Sequence, residues 1–299
     1  MDFTALRYFS ETAHSRSIRA ASERLHVSAS AISRQIAKLE HELRAPIFDR
    51  RAKGMTLTPA GLILREKFEG MMREFTRVKS HIAALQDIQA GTVDVYCFQT
   101  AIESFVAPVL HRFHAQYPNV MFNIRMSSTD EAMEALTSGV AEIGLILNPP
   151  ARDNIATTQV FRDSIVAAFS PSHPLAKRKT ISLRELVEFP FVFTEPSFGL
   201  RQQIDRVLAR HKVEPELFCV TNSIALVKGV ASIGRQCTLL PRFAVEPEVA
   251  AGTLATVAVK EFAIESIVFC VCALSGRSVS PAGRVFVHTV VDYCRRYRR

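Results

Sequence analysis

The sequence predicts a mainly α, winged helix-turn-helix head carried on one long linker helix, with an α/β body behind it. Three observations predict this. Residues 3–43 hold three short helical patterns followed by a basic hairpin at 47–57. Residues 59–88 carry an unbroken heptad-spaced apolar seam. Beyond residue 91, apolar strand runs alternate with helical stretches. At 299 residues, the chain is long enough for two or three domains.

The first helix takes Phe3, Leu6, Phe9 and Ala13 as its buried face. Ser17 caps a second helix over Ile18 to Leu25, with Ala20, Ala21 and Leu25 inward. His26-Val27 is a short turn, and Ser28 caps a third helix reaching about Leu43. Its inward face is Ile32, Ile36, Leu39 and Leu43. Its outer face offers Ser30, Ser33, Arg34, Gln35 and Lys38, hydrogen-bonding groups and positive charge with no carboxylate before Glu40. Two helices joined by a tight turn, the second polar outside, form a helix-turn-helix. Such a helix fits the DNA major groove, where its N-terminal side chains reach base edges.

Ile47 to Arg50 and Met55 to Leu57 read as two strands around a turn. Arg50, Arg51 and Lys53 stand at or near the tip of this wing, suited to phosphate or the minor groove. Thr58 caps the linker helix and Pro59 opens it, while Gly91 provides a stop. Along it Leu64, Phe68, Met71, Phe75, Val78, Ile82 and Leu85 are spaced four and three apart. That seam predicts pairing with a second chain, which would present two recognition helices to a symmetric site.

These ninety residues resemble the LysR-type transcriptional regulators. The matching positions are Phe9, Ser17, Ala20-Ala21, Leu25, Val27-Ser28, Ala31 to Ile36, Leu39-Glu40, Leu43, Phe48 to Arg50 and Leu57 to Gly61. The resemblance implies that Ser28, Ala29, Ser30, Ser33, Arg34 and Lys38 face DNA, together with the wing cations. Ala29 stands where the family commonly has glutamine, which bears on operator preference. More loosely, the resemblance covers the rest of the chain. It implies a periplasmic-binding-protein-like effector domain of two α/β lobes, and a homodimer or homotetramer that contacts RNA polymerase. The domains would be 1–58, 59–90 and 91–299, with lobe I about 91–162 and 267–299 and lobe II about 163–266.

In the body, strands are read at Val93 to Phe98, Met121 to Met126 and Ile143 to Leu147, and a helix at Ile102 to Ala115. Ser182 to Glu185 is a capping box. Ligands of such folds lie at strand carboxyl ends beside helix N-termini. That selects Gln99, Thr100, Ala101, Ser127, Ser128 and Thr129 from one lobe, and Ser197, Phe198, Asn222 and Ser223 from the other. Free N–H groups at helix starts favour a small anionic effector. Arg235 is a candidate to assist it, and Gln236 stands where related proteins have a second glycine.

Charge is uneven. Residues 1–90 carry 15 Lys/Arg against 10 Asp/Glu, whereas 91–294 carry 18 against 19. A basic head attracts polyanions, and the body does not. The six cysteines show no metal-ligand spacing, and Cys270 and Cys272 fall on one face of the strand at 267–274. Buried thiols outrank a redox role for them. No catalytic motif, cofactor fingerprint or metal set is present, no apolar run spans a bilayer, and no signal peptide opens the chain, predicting a cytoplasmic address. The rival readings are an enzyme or solute-binding protein using the same two lobes, and an architectural DNA-binder that needs no effector. The basic head and the heptad seam favour a regulator over the first of these.

Overall fold

The computed structural model describes residues 2–51, 54–83 and 91–297. The chain divides into two compact units, Met1–Arg77 and Val78–Arg299.

In the first unit α1 (Phe3–Ser15), α2 (Ile18–Leu25) and α3 (Ala29–Leu43) precede a hairpin of β1 (Phe48–Arg51) and β2 (Gly54–Leu57), and α4 (Pro59–Ala83) follows. Asp2, Ser17 and Ser28 each cap a helix by accepting a backbone N–H. Arg16, His26 and Arg44 end the three helices in the left-handed region, at φ 54°, 56° and 53°. Leu6, Phe9, Ala21, Ile32, Ile36 and Leu39 form the core with Ile47 and Phe48. Two residues expected inside are not. Phe3 is 51% exposed and sets its ring edge against Phe68 at 6.1 Å. Leu43 is 40% exposed, because the chain leaves the helix one residue later. Of the alanine pair, Ala21 is fully buried and Ala20 only partly.

The linker seam divides. Phe68 is buried in the core of its own unit, and Leu64 and Met72 pack on it. Met71, Phe75 and Val78 are 46%, 51% and 44% exposed. Reading all seven positions as a seam between chains is therefore corrected for Leu64 and Phe68, since the wing and α1 leave an apolar gap that α4 fills. Ile82 lies in the last turn of α4, and Leu85 falls outside the described residues. Gly61 is required where it stands: a Cβ there would lie 2.1 Å from the Ile47 carbonyl oxygen.

The second unit begins with β3 (Gly91–Cys97). Next come α5 (Gln99–Ala101) and α6 (Ala107–Gln116), joined by a π-turn, Ile102–Val106. Then follow β4 (Val120–Met126), α7 (Thr129–Thr137), β5 (Ile143–Leu147) and the long β6 (Ile155–Phe169). After them run β7 (Thr180–Ile181), α8 (Leu183–Leu186), β8 (Phe191–Thr194), α9 (Gly199–His211), β9 (Leu217–Thr221) and α10 (Ile224–Ile233). The chain closes with β10 (Thr238–Pro241), α11 (Arg242–Ala250), β11 (Ala255–Val259), β12 (Ser266–Leu274) and α12 (Pro281–Tyr297).

β3 pairs in parallel with β4 and β5, and β12 runs antiparallel between β5 and β6. β6 joins two lobes. Ile155–Ser164 pairs with β12, whereas Ile165–Phe169 pairs with β10 and β11. The change of partner falls at Ser164. Phe98, Phe105, Phe161, Phe243 and Phe269 pack ring on ring across this junction, with centroids 5.2 to 6.2 Å apart. One apolar cluster therefore runs through both lobes.

Candidate DNA-contact surface and effector cleft

The outer face of α3 is built by subtraction. Ile32, Ile36 and Leu39 turn inward, which leaves Ser28, Ala29, Ser30, Arg34 and Lys38 exposed and Ser33 partly so. Glu40 Oε1 accepts the backbone N–H groups of Ile47 and Phe48, at 2.9 and 3.4 Å. The carboxylate that ends the polar run is thereby spent on holding the wing to α3. The Arg16 carbonyl accepts the Met55 N–H at 3.0 Å and fixes the hairpin from its other side. Register places Arg50 opposite Met55 and Arg51 opposite Gly54. Lys53 falls outside the described residues.

In the second unit a cavity of about 30 Å³ lies between the lobes. Water needs roughly 10–15 Å³ by this measure, so it holds about two molecules. Six of the ten sequence-selected residues line it: Gln99, Thr100, Ser127, Ser128, Thr129 and Phe198. The other four do not. Ala101, the last residue of α5, is fully buried in the core. Ser197 contributes its carbonyl to Asp130 N–H, Asn222 is exposed, and Ser223 caps α10. Sequence reasoning missed most of the apolar wall, including Phe98, Ala132, Leu147, Leu200, Ile224 and Leu240. Nothing in a strand or helix pattern separates such residues from ordinary core.

The two walls are latched by the chain's own polar groups. Gln99 Oε1 accepts the Ile224 N–H of the opposite lobe at 2.9 Å. Thr129 Oγ1 accepts the Gly199 N–H at 2.8 Å. A Cβ at Gly199 would lie 2.1 Å from the Leu147 carbonyl oxygen and 2.8 Å from Thr129 Oγ1, so glycine permits this approach. The helix starts expected to hold an anion are thus already engaged. α7 also carries Asp130 and Glu131 in its first turn, and Glu131 Oε2 accepts Ser128 N–H at 2.8 Å. Among the described residues, no ionisable side chain lines the cavity. The helix start that follows Ser128 already carries carboxylates of its own chain. Arg235 does not line the cavity either; its guanidinium lies 5.3 Å above the Phe189 ring. Gln236 folds its amide against Gly234, whose added Cβ would meet Gln236 Oε1 at 2.3 Å.

A second groove, about 560 Å³, opens beside the junction and includes Asn148, Arg162, Gln203, Arg206 and Glu265. Its polar groups bond one another: Gln203 Nε2 donates to Glu265 at 2.6 Å, and Asn148 Nδ2 and Arg206 both donate to Gln203 Oε1. Cys270 and Cys272 are buried in one cluster with Met133. Burial pushes their thiols up to about 11 and about 12. Cys97 and Cys294 rise to about 12 for the same reason. Nucleophilic thiolate is scarce at such values. No group of three potential metal ligands is present, and no helix is long and apolar enough to cross a membrane, among the described residues.

A winged helix-turn-helix unit with an exposed basic helix face, followed by a two-lobed α/β unit enclosing a cleft, defines a ligand-responsive DNA-binding regulator. Two family profiles match the chain: the bacterial regulatory helix-turn-helix protein, lysR family, over residues 3–62, and the LysR substrate binding domain over residues 86–295. The chain is 31% identical over 243 residues to the transcriptional dual regulator GltC of Bacillus subtilis, covering 81% of each. It is 26% identical over 249 residues to the transcriptional activator IlvY of Salmonella typhimurium, covering 82% of the chain and 84% of that protein. Its fold matches full-length CbnR in complex with target DNA at TM-score 0.70 and 21% identity, covering 99% of both chains. The chain belongs to the LysR family of transcriptional regulators.

Proposed function

We propose that the protein binds operator DNA as an oligomer through α3 and its wing, and that a small molecule between the lobes of the second unit sets its activity. The carrying observation is the inter-lobe cavity, bounded by polar contacts between lobes, in a chain whose first unit exposes a basic recognition helix. Ser28, Ser30, Ser33, Arg34 and Lys38 address bases or phosphates, and Arg50, Arg51 and Lys53 address phosphates. Met71, Phe75 and Val78 pair two copies, with Ile82 and Leu85 continuing the same spacing. Dimers join further into tetramers in this reading, and the assembled regulator meets RNA polymerase in the cytoplasm.

Effector binding in the cavity beside the Gln99 and Thr129 latches changes how the lobes meet. A coupling of about 1–3 kcal/mol is enough to alter operator affinity about 5- to 150-fold. Genome-wide mapping of bound DNA identifies operators, and their neighbouring genes suggest candidate metabolites for titration in an operator-binding assay. Thr100→Val keeps DNA binding and blunts the response; a normal response in that variant removes Thr100 from the site. An operator affinity indifferent to every candidate would favour the architectural reading instead.

A further inference from the structure

The chemical class of the effector can be taken further, on the reading that the inter-lobe cavity is the effector site. We propose that the effector is an uncharged, largely apolar small molecule that hydrogen-bonds Ser127 Oγ. Three observations lead there. Among the described residues the lining carries no ionisable side chain, and its walls are mostly aliphatic and aromatic. A carboxylate moved into such a wall loses far more hydration than a neutral amide or alcohol.

The electrostatics beside the cavity disfavour an anion as well. The start of α7 bears two carboxylates of its own, Asp130 and Glu131. Two cations bonded to lining residues are committed: Arg201 Nε meets Asp205 at 2.7 Å and its Nη1 donates to the Thr194 carbonyl at 2.9 Å, while Lys228 Nζ meets Glu248 at 2.6 Å and donates to the Ala244 carbonyl at 3.4 Å.

Among the described residues, one hydroxyl at this wall is fully buried without a partner. Ser127 is 6% exposed, lines the cavity, and its Oγ has no hydrogen-bond partner among the described residues. Its neighbours Ser128 and Thr129 are both engaged, Ser128 Oγ by Glu131 N–H and Thr129 Oγ1 by Gly199 N–H. A buried hydroxyl without a partner costs free energy that a ligand hydroxyl, amide or carbonyl recovers. The cavity has room for about two water molecules, so the ligand is small or parts the lobes on entry.

The test uses matched probes of one shape, 2-methylpropanamide against 2-methylpropanoate and cyclohexanecarboxamide against cyclohexanecarboxylate. They are titrated into the full-length protein at neutral pH and read by ligand-observed NMR. The amides should bind at least tenfold tighter than the carboxylates. Ser127→Ala should reduce amide affinity about tenfold without improving the carboxylates, and Ala132→Leu, which fills the cavity, should abolish amide binding. Carboxylates that bind equally or better, and lose binding in Ala132→Leu, overturn the neutral class but leave the cleft as effector site. No binding by either series, or binding untouched by Ala132→Leu, overturns both. The comparison in the unaltered protein decides the class even if a variant fails to fold.

Discussion

Arg34 and His173 show how differently single residues are constrained. Arg34 is exposed on α3, and its guanidinium can make a bidentate contact to guanine. Arg34→Ala should cost about 1–3 kcal/mol at one operator position and leave the sedimentation coefficient unchanged. Equal discrimination among operator variants would refute the assignment. His173 is 4% exposed and stacks on Phe169 at 4.4 Å. Its Nδ1 accepts the Leu175 N–H and its Nε2 faces the Arg235 carbonyl, each at 3.2 Å, which selects the neutral ring with the proton on Nε2. Burial, with a smaller contribution from the Arg235 charge, holds its pKa below the usual histidine value despite the Arg235 carbonyl. The unfolded chain then takes up the proton first, so stability is full above roughly pH 6.5 and declines as pH falls below it. Urea midpoints measured from pH 7.5 down to 5 should show that decline. His173→Gln should flatten it while lowering stability at pH 7.5.

At the scale of elements, α4 serves two purposes along one helix. Its first turns complete the core of the DNA-binding unit through Phe68, and its later turns expose Met71, Phe75 and Val78. Phe68→Ala should destabilise the first unit by about 3–5 kcal/mol, seen as a lowered unfolding midpoint. Phe75→Glu should instead shift sedimentation equilibrium toward monomer with little change in the unfolding of the first unit. If both variants behave alike, the division of the helix is wrong. α9 and β5 meet at Gly199 with no room for a side chain. Gly199→Ala forces the lobes apart and should cost about 1–3 kcal/mol through overpacking. Thermal unfolding would report the loss, and operator binding would report whether opening the cleft mimics an effector.

For the whole molecule, the charge distribution makes DNA affinity a matter of salt. The basic first ninety residues release counterions from each phosphate they neutralise, so log affinity should fall linearly with log salt. Removing Arg51 and Lys53 together should lower that slope by about two units. An unchanged slope would place both side chains away from the backbone.

The sequence by itself determined the order of the first unit's helices and hairpin, the outward side of α3 and the α/β character of the body. These follow from local rules: Ser17, Ser28 and Ser128 cap the helices that start after them, and the three-four spacing of α3 decides which side chains face inward. The cleft was half legible, because Gln99, Thr100 and Ser127 to Thr129 sit at strand ends where helices begin. Only the tertiary structure decided that Phe68 belongs to its own unit's core, that Ala101 turns away from the cavity, and that no ionisable side chain among the described residues lines that cavity. Each depends on what a residue meets from a distant stretch of chain. Burial and compensation of charge are properties of such meetings, and spacing along one segment does not encode them.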